Sequence, residues 1–317
     1  MKDFMQTKMS IFVFLTVFIS SNIFSNNYKL QAIDICNQTQ IDQVTQLFTT
    51  STLQATLQPS LHNIKKWIKN NPVIVAMNDQ GVIVAALMYF IANNVDLWIR
   101  GLVISKQDQN NELIEQMLQS LESTSNIASI NINLVQNDFN FYAIFQTLNY
   151  QQLHEFWHMH FHAHNKSIKN SQSRYNIRHI DAHNTQEVTK FAQLFKKDEV
   201  GIEYTHQTMH DFMTNYPNYK FLAAFNHQNI MCGGIIYQTL PDCWKRYVTS
   251  VHPNFRHQGI ATALMQTLHE LGQKEGIFDF TLAVNKTNYP AQQCFKKAGY
   301  VFTYSSYQMS KKMLSAN

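Results

Sequence analysis

Along the 317-residue chain, apolar positions switch between a period of two and a period near four, and they do so twice in the same order. In the C-terminal half, residues 175–180 alternate as a strand, and Val188, Phe191, Ala192, Leu194 and Phe195 then recur at helical spacing behind an Asn184 cap. A second short helix follows. The apolar, β-rich runs 220–225 and 230–240 are split by Asn226-His-Gln-Asn229, which predicts a hairpin. Residues 244–251 read as a strand, and 260–273 as a helix with Ala263, Leu264, Leu268 and Leu271 on its apolar stripe. Residues 278–284 predict a strand, 291–297 a helix and 300–309 a last strand. The order β-α-α-β-β-β-α-β-α-β predicts a mixed sheet flanked by helices, an α/β fold of the α+β kind.

Sliding the chain along itself by 148 positions superposes the two halves. His62 falls on His210, Asn78 on Asn226, Tyr89 on Tyr237, Val103 on Val251, Met117 on Met265, Asn137 on Asn285 and Asn140 on Asn288. At an offset of 147, Tyr28, Ile33, Asp34, Leu47 and Phe48 fall on Tyr175, Ile180, Asp181, Leu194 and Phe195. A register kept over so many positions is a duplication. The polar stretch NKSIKNSQS at 165–173 separates the copies as a linker, which predicts domains at 27–164 and 174–317.

Composition narrows the partners. The chain holds 30 Asn and 29 Gln against 46 charged residues, so amides rather than ions solvate much of its surface. A net charge of +4 suits an anionic small ligand but lacks the clustered Lys and Arg of a nucleic-acid footprint, so no nucleic-acid partner is expected. Cys36, Cys232, Cys243 and Cys294 show no CxxC spacing, which argues against a zinc ribbon or a disulfide framework. Residues 1–26 stand apart: Lys2 and Lys8 precede an apolar run at 11–24 that ends in small residues near Ser25. That run is short for a spanning helix, and it reads equally as an export signal or as an interfacial membrane anchor, with attachment through residues 9–25.

The chemistry lies between the strand ending at Val251 and the helix beginning near Ile260, in His252-Pro-Asn-Phe-Arg256-His257-Gln258-Gly259-Ile260-Ala261. Gly259 permits a tight turn, Ala261 keeps the first helical turn slim, and the N–H groups there, aided by the helix dipole, suit a diphosphate, although the loop by itself reads equally as an ordinary strand-to-helix connection. Arg256 adds a fixed charge with a bidentate fork. Val251-His-Pro followed by Arg256-x-x-Gly259-x-Ala261 resembles the acetyl-CoA loop of the GNAT (Gcn5-related) N-acetyltransferases. A second motif, Asn288-x-x-Ala291-x-x-Cys294-Phe295-x-x-x-Gly299-Tyr300, is similar to that family's helix-and-turn segment.

This resemblance covers roughly residues 174–312 and implies two tandem GNAT-like domains. It also implies a sheet splayed where the strand ending at Val251 parts from the one ending at Val284. Pantetheine would bond to the backbone of Thr249, Ser250 and Val251 like an added strand, the pyrophosphate would sit on N–H groups of His257, Gln258, Gly259, Ile260 and Ala261, and Asn285 and Asn288 would line the far side. Asn at a strand end is also ordinary turn chemistry. The implied reaction is attack by a neutral amine on the thioester of acetyl-CoA, with a small-molecule or peptide amine as acceptor. The family's carboxylate base is Tyr247 here, which leaves Tyr247, Glu203 and His206 as candidates, and its tyrosine acid is Phe295. Those two departures also admit a non-catalytic protein that binds CoA or an amine.

In the first copy the loop reads Lys106-Gln-Asp108-Gln-Asn-Asn111-Glu112, so Asp108 stands for the arginine and Asn111 for the glycine. An acidic group there repels a diphosphate, which predicts a degenerate domain without cofactor. Finally, His158, His160, His162 and His164 alternate with Met159, Phe161 and Ala163. As a strand this puts four imidazoles on one face, where i and i+2 neighbours could chelate zinc or copper. No matching Cys, Asp or Glu is evident, so the expectation is no metal and a final strand with a polar side. An acetyl-CoA-dependent enzyme belongs on the cytosolic side, whereas export would favour the binding protein.

Overall fold

The computed structural model describes residues 28–313 apart from 35, 51–60, 93–94, 109, 124–126, 136–140, 164–173 and 196–203. The N-terminal segment, the linker, His164, Asn137, Asn140 and Glu203 therefore lie outside the described residues. In the first half, strand β1 (Lys29–Ala32) leads to helices α1 (Gln38–Thr50) and α2 (Leu61–Asn70), strands β2 (Val73–Met77), β3 (Ile83–Ala92) and β4 (Asp96–Ile104), helix α3 (Asn111–Glu122), β5 (Ser129–Val135), α4 (Phe141–Thr147) and β6 (Gln151–His162). The second half repeats this order: β7 (Asn176–His179), α5 (Thr185–Leu194), α6 (His206–Asn215), β8 (Tyr219–Phe225), β9 (Met231–Thr239), β10 (Trp244–Val251), α7 (Ile260–Lys274), β11 (Asp279–Asn285), α8 (Tyr289–Lys297) and β12 (Val301–Lys312). Among the described residues no helix is long and apolar enough to cross a membrane.

Local chemistry sets these elements. Asn184 caps α5 by accepting from the Glu187 amide, and Thr205 and Thr208 form a reciprocal capping box on α6. The Asn226 side chain accepts from the amides of Gln228 and Ile230, which closes the β8–β9 turn. On β9, Gly234 leaves room for the Phe191 ring of α5, which a Cβ would strike.

The chain forms two compact units, residues Met1–His154 with Ser306–Asn317, and Glu155–Ser305. These differ from the repeats by one strand each. Within the first unit the strands run β1-β2-β3-β4-β5-β12, and β12 pairs antiparallel with β5 from Ser306↔Val135 to Lys312↔Ser129. Within the second, β6 pairs antiparallel with β11 from Asp279↔His162 to Asn285↔Phe156, followed by β10, β9, β8 and β7. Each repeat thus gives its last strand to the other's core: Met309 packs with Leu118, Ile132 and Phe145 in the first unit, and Met159 and Phe161 pack with Trp244, Leu268 and Phe280 in the second.

In each unit the sheet carries apolar packing on both faces. The second unit sets Phe280, Leu282, Leu264 and Leu268 on one side, and Val188, Phe191, Met209 and Phe221 on the other. Its core also encloses a polar pair, His269 Nε2 2.9 Å from the Tyr300 hydroxyl, with His269 stacked 4.1 Å from Phe161. Burial keeps this imidazole neutral, its pKa pushed down to about 3. The first unit has Tyr150 at the place of Tyr300, and its buried hydroxyl has no hydrogen-bond partner among the described residues.

The strand registers correct one alignment made from sequence. Gly233 pairs with Val251 and Ala85 with Ile104, so Ile104, not Val103, is the counterpart of Val251. The turn joining β3 to β4 is one residue longer than its partner between β9 and β10, which moves the register of everything on β4.

Candidate active site

Strands β10 and β11 run parallel only over Trp244↔Phe280, Lys245↔Thr281 and Arg246↔Leu282. Beyond Arg246 a bulge interrupts the β10–β9 ladder, after which Val248, Thr249, Ser250 and Val251 stay on β9 while β11 stays on β6 as far as Asn285. The two strands therefore diverge, leaving one edge of Thr249–Val251 without a β11 partner. The Ser250 hydroxyl donates to Leu194 O at 2.6 Å, which fixes that edge to the end of α5.

The divergence leads directly into the helix start. A short 3-10 turn at Pro253–Phe255 follows, with the His252 ring accepting from the Asn254 amide at 3.3 Å. His257 then takes a φ of 63° and Gly259 a φ of 81°. Gly259 is the N-cap of α7 and offers no side-chain cap, and a Cβ built on it would meet nothing within 4 Å. The first amides of a 15-residue helix thus receive no cap from the N-cap side chain, an arrangement suited to anions. Arg256 is exposed and folds its Nε onto Val251 O at 3.3 Å. The Tyr175 hydroxyl donates to Gln258 O at 3.3 Å.

Across the gap, Asn285 Oδ1 accepts from the Thr287 amide and Asn288 Oδ1 caps α8 through the Ala291 amide. Both side-chain carbonyls are committed to turn chemistry. The Gln292 amide holds the same turn by donating to the carbonyls of Asn285 and Lys286.

One residue in the gap escaped the sequence reading. Arg246 is 7% exposed, and its guanidinium joins the parting strands, Nη1 donating to Ala283 O at 2.8 Å and Nε to Thr249 Oγ1 at 3.1 Å. It lies 4.8 Å over the Phe295 ring, the aromatic that stands where the family's tyrosine is expected. The available signal was its parity with Trp244, an inward position on β10 where a charge must be buried.

The candidate bases are not gathered at one point. Tyr247 occupies the β10 bulge, 41% exposed, with its ring edge-on to Tyr219 at 5.7 Å and Phe212 at 6.2 Å. His206 opens α6, with Nδ1 3.0 Å from Thr189 Oγ1 and its ring stacked 6.2 Å from His210.

The first unit departs from this arrangement. Strands β4 and β5 part after Ile99↔Ile132, so the splay survives with Ile99 where β10 has Arg246. The N-cap of α3 is Asn110, not Asn111 as the ungapped alignment suggests. Its φ of −134° is extended, and its own side chain fills the helix start by accepting from the Glu112 amide. Asp108 accepts from the Tyr28 and Ser105 hydroxyls.

Residues 187–300 match the model of the acetyltransferase (GNAT) family. The second unit carries a GNAT domain. Among solved structures, a GCN5-related N-acetyltransferase from Sphaerobacter thermophilus superposes with a TM-score of 0.72 at 13% identity, covering 92% of this chain and 98% of that one. A tandem GNAT protein from the clavulanic acid biosynthesis pathway superposes with a TM-score of 0.71 at 9% identity, covering 92% of this chain and all of the other. No curated protein matches the chain. The whole chain thus has the tandem GNAT fold, and the splay and open helix start lie in the segment that matches a family of N-acetyltransferases.

The histidine strand needs one correction. His158 is buried, stacked on Tyr304 at 4.4 Å, with a pKa pushed down to about 4 by burial and then by the Lys245 charge, so it does not share a solvent-facing row. His160 and His162 do reach outward, and the carboxylate that sequence could not supply is Asp279 of β11, bonded to both.

Proposed function

We propose that the GNAT domain of the second unit transfers an acetyl group from acetyl-CoA to a primary amine of a small molecule or peptide. The observation that carries this is the continuity of the parted β10 edge with the uncapped start of α7 at Gly259. That geometry fits a ligand pairing one polar edge with a strand and ending in a diphosphate. The amides of His257, Gln258, Gly259, Ile260 and Ala261 would hold the diphosphate, joined by Arg256, and Thr249–Val251 would pair with the pantetheine. The blocked α3 start at Asn110 supports catalysis by one unit alone.

Bound acetyl-CoA supplies an acyl carbon activated as a thioester. The amine nitrogen forms the new C–N bond as the C–S bond breaks, and a backbone N–H near Val251 polarises the carbonyl. Arg246, fixed between the strands by Ala283 O and Thr249 Oγ1, places positive charge where the thiolate departs. It takes the part that Phe295 cannot, and a thiol with a reference pKa of about 8.5 needs little more. The ammonium proton passes to His206 or Glu203, directly or through water. The domain works on the cytosolic side, where the donor is made, with residues 1–26 as an anchor.

Thiol release measured over a panel of aliphatic, aminosugar and peptide amines tests this. Release that requires acetyl-CoA and one amine class is expected. Catalytic silence alongside calorimetric binding of CoA would overturn it in favour of a CoA-binding protein, the reading that Tyr247 in its aromatic cluster and Phe295 support. Fractionation that recovers the chain outside the cytosol with residues 1–26 removed would overturn the placement.

A further inference from the structure

At the far end of the same sheet lies a cluster that the transfer reaction does not use. On β6, His160 and His162 project from the face opposite Met159 and Phe161, and β11 runs antiparallel beside them with Asp279 across from His162 and Thr281 across from His160. Asp279 is therefore directly opposite one imidazole and diagonal to the other, the two cross-strand positions whose side chains meet. Its Oδ1 lies 2.7 Å from His160 Nε2 and 2.8 Å from His162 Nδ1, and the three ligating atoms fall within 4.8 Å of one another. All three side chains are part-exposed, at 35%, 41% and 38%, so an ion can reach them without opening the core.

The geometry points to a divalent transition-metal site of the zinc class, with His160 Nε2, His162 Nδ1 and Asp279 Oδ1 as ligands and water in the remaining positions. Two imidazoles and one carboxylate are a donor set that zinc takes with an open position, whereas calcium and magnesium favour all-oxygen sets. The cluster is close to the size required. For bonds of about 2.0–2.1 Å, tetrahedral ligand atoms stand roughly 3.3 Å apart, so both nitrogens must withdraw from Asp279 by about half an ångström. Side-chain rotation at the surface supplies that without moving the strands. Each imidazole presents the lone pair of its ligating nitrogen to the metal and carries its proton on the other ring nitrogen.

His158 is excluded by burial against Tyr304. Lys245, across from Thr281 on the same face, brings a like charge near the ion and weakens its binding. The site is remote from the proposed cleft. It lies beside the first residues of β10, whereas the cradle follows the last, and eight strand residues span roughly 25 Å. Occupancy can therefore be measured whether or not the chain proves to be an acetyltransferase.

The test is calorimetric titration of zinc into chelator-treated, untagged full-length protein. One zinc per chain is expected, with no heat from magnesium or calcium. His160→Gln, His162→Gln and Asp279→Asn should each weaken zinc by about tenfold or more, and the two glutamines keep a donor for Asp279, so the fold is retained. His210→Ala, which breaks the other close histidine pair, should leave the titration unchanged. Zinc binding that survives all three substitutions, or that disappears with His210→Ala, overturns the proposal, as does the absence of binding. Cobalt provides an independent readout: its visible absorption should show nitrogen and oxygen coordination in the parent and vanish in His162→Gln.

Discussion

Acid should unfold this protein through His269, a residue that has no part in the proposed catalysis. The imidazole is 2% exposed, shares a hydrogen bond with Tyr300 and has a folded-state pKa near 3. In the unfolded chain it titrates near its ordinary value of about 6.5. As pH falls through that value the unfolded state takes up a proton that the folded state refuses. The stabilisation is therefore present above about pH 6.5 and lost progressively towards pH 3. Between pH 7 and pH 5 the loss is roughly 2 kcal/mol, a sizeable share of an ordinary folding free energy. His158, held near 4, adds a loss of similar size in the same direction. Carboxylates in ion pairs contribute to the same slope, so the informative quantity is a difference between proteins. His269→Leu combined with Tyr300→Phe removes both polar partners and leaves no buried donor or acceptor behind. Urea denaturation at pH 7 and pH 5, followed by circular dichroism, should show the double variant losing about 2 kcal/mol less than the parent over that interval. An equal loss in both would mean that His269 is protonated in the folded state and would refute the argument.

Three further outcomes can be checked directly. Gly259→Asp should abolish CoA binding by calorimetry while circular dichroism stays native, because a carboxylate then faces the helix start, and Asn110→Asp should change nothing. Arg246→Met should cut the rate of thiol release by about a hundredfold while leaving CoA affinity within a few-fold; an equal fall in affinity would make it a binding residue. Tyr150→Phe should raise stability by about 1 kcal/mol because it deletes an unpartnered buried hydroxyl, and Tyr300→Phe should lower it by about as much because it strands His269.

The elements were legible because short-range physics sets them. The Asn184 cap, the Asn226 turn and the period of α7 each declare themselves within a few residues. The splay at Val251 was legible only through the family motifs, since no local pattern marks where two parallel strands separate. What stayed hidden depends on neighbours far away in sequence. Periodicity gives β6 two faces but does not name its partner, so Asp279 was invisible beside His160 and His162. Arg246 went unnoticed because its acceptor, Ala283 O, sits on another strand. The Asn110 cap was missed for a simpler reason: the loop before α3 is shorter than its counterpart, and an ungapped alignment slides past it.

The pairing of β12 with β5 also imposes a timetable on biosynthesis. The first unit emerges from the ribosome with β5 as an open edge, and that edge stays unpaired until residues near the C-terminus have been made. A nascent chain in this state presents a free strand edge to any other chain nearby, the situation that favours misassembly. Truncation just before residue 306 would thus damage the unit farthest from it in sequence, and a duplicated gene of this design cannot shed either half and leave the other whole.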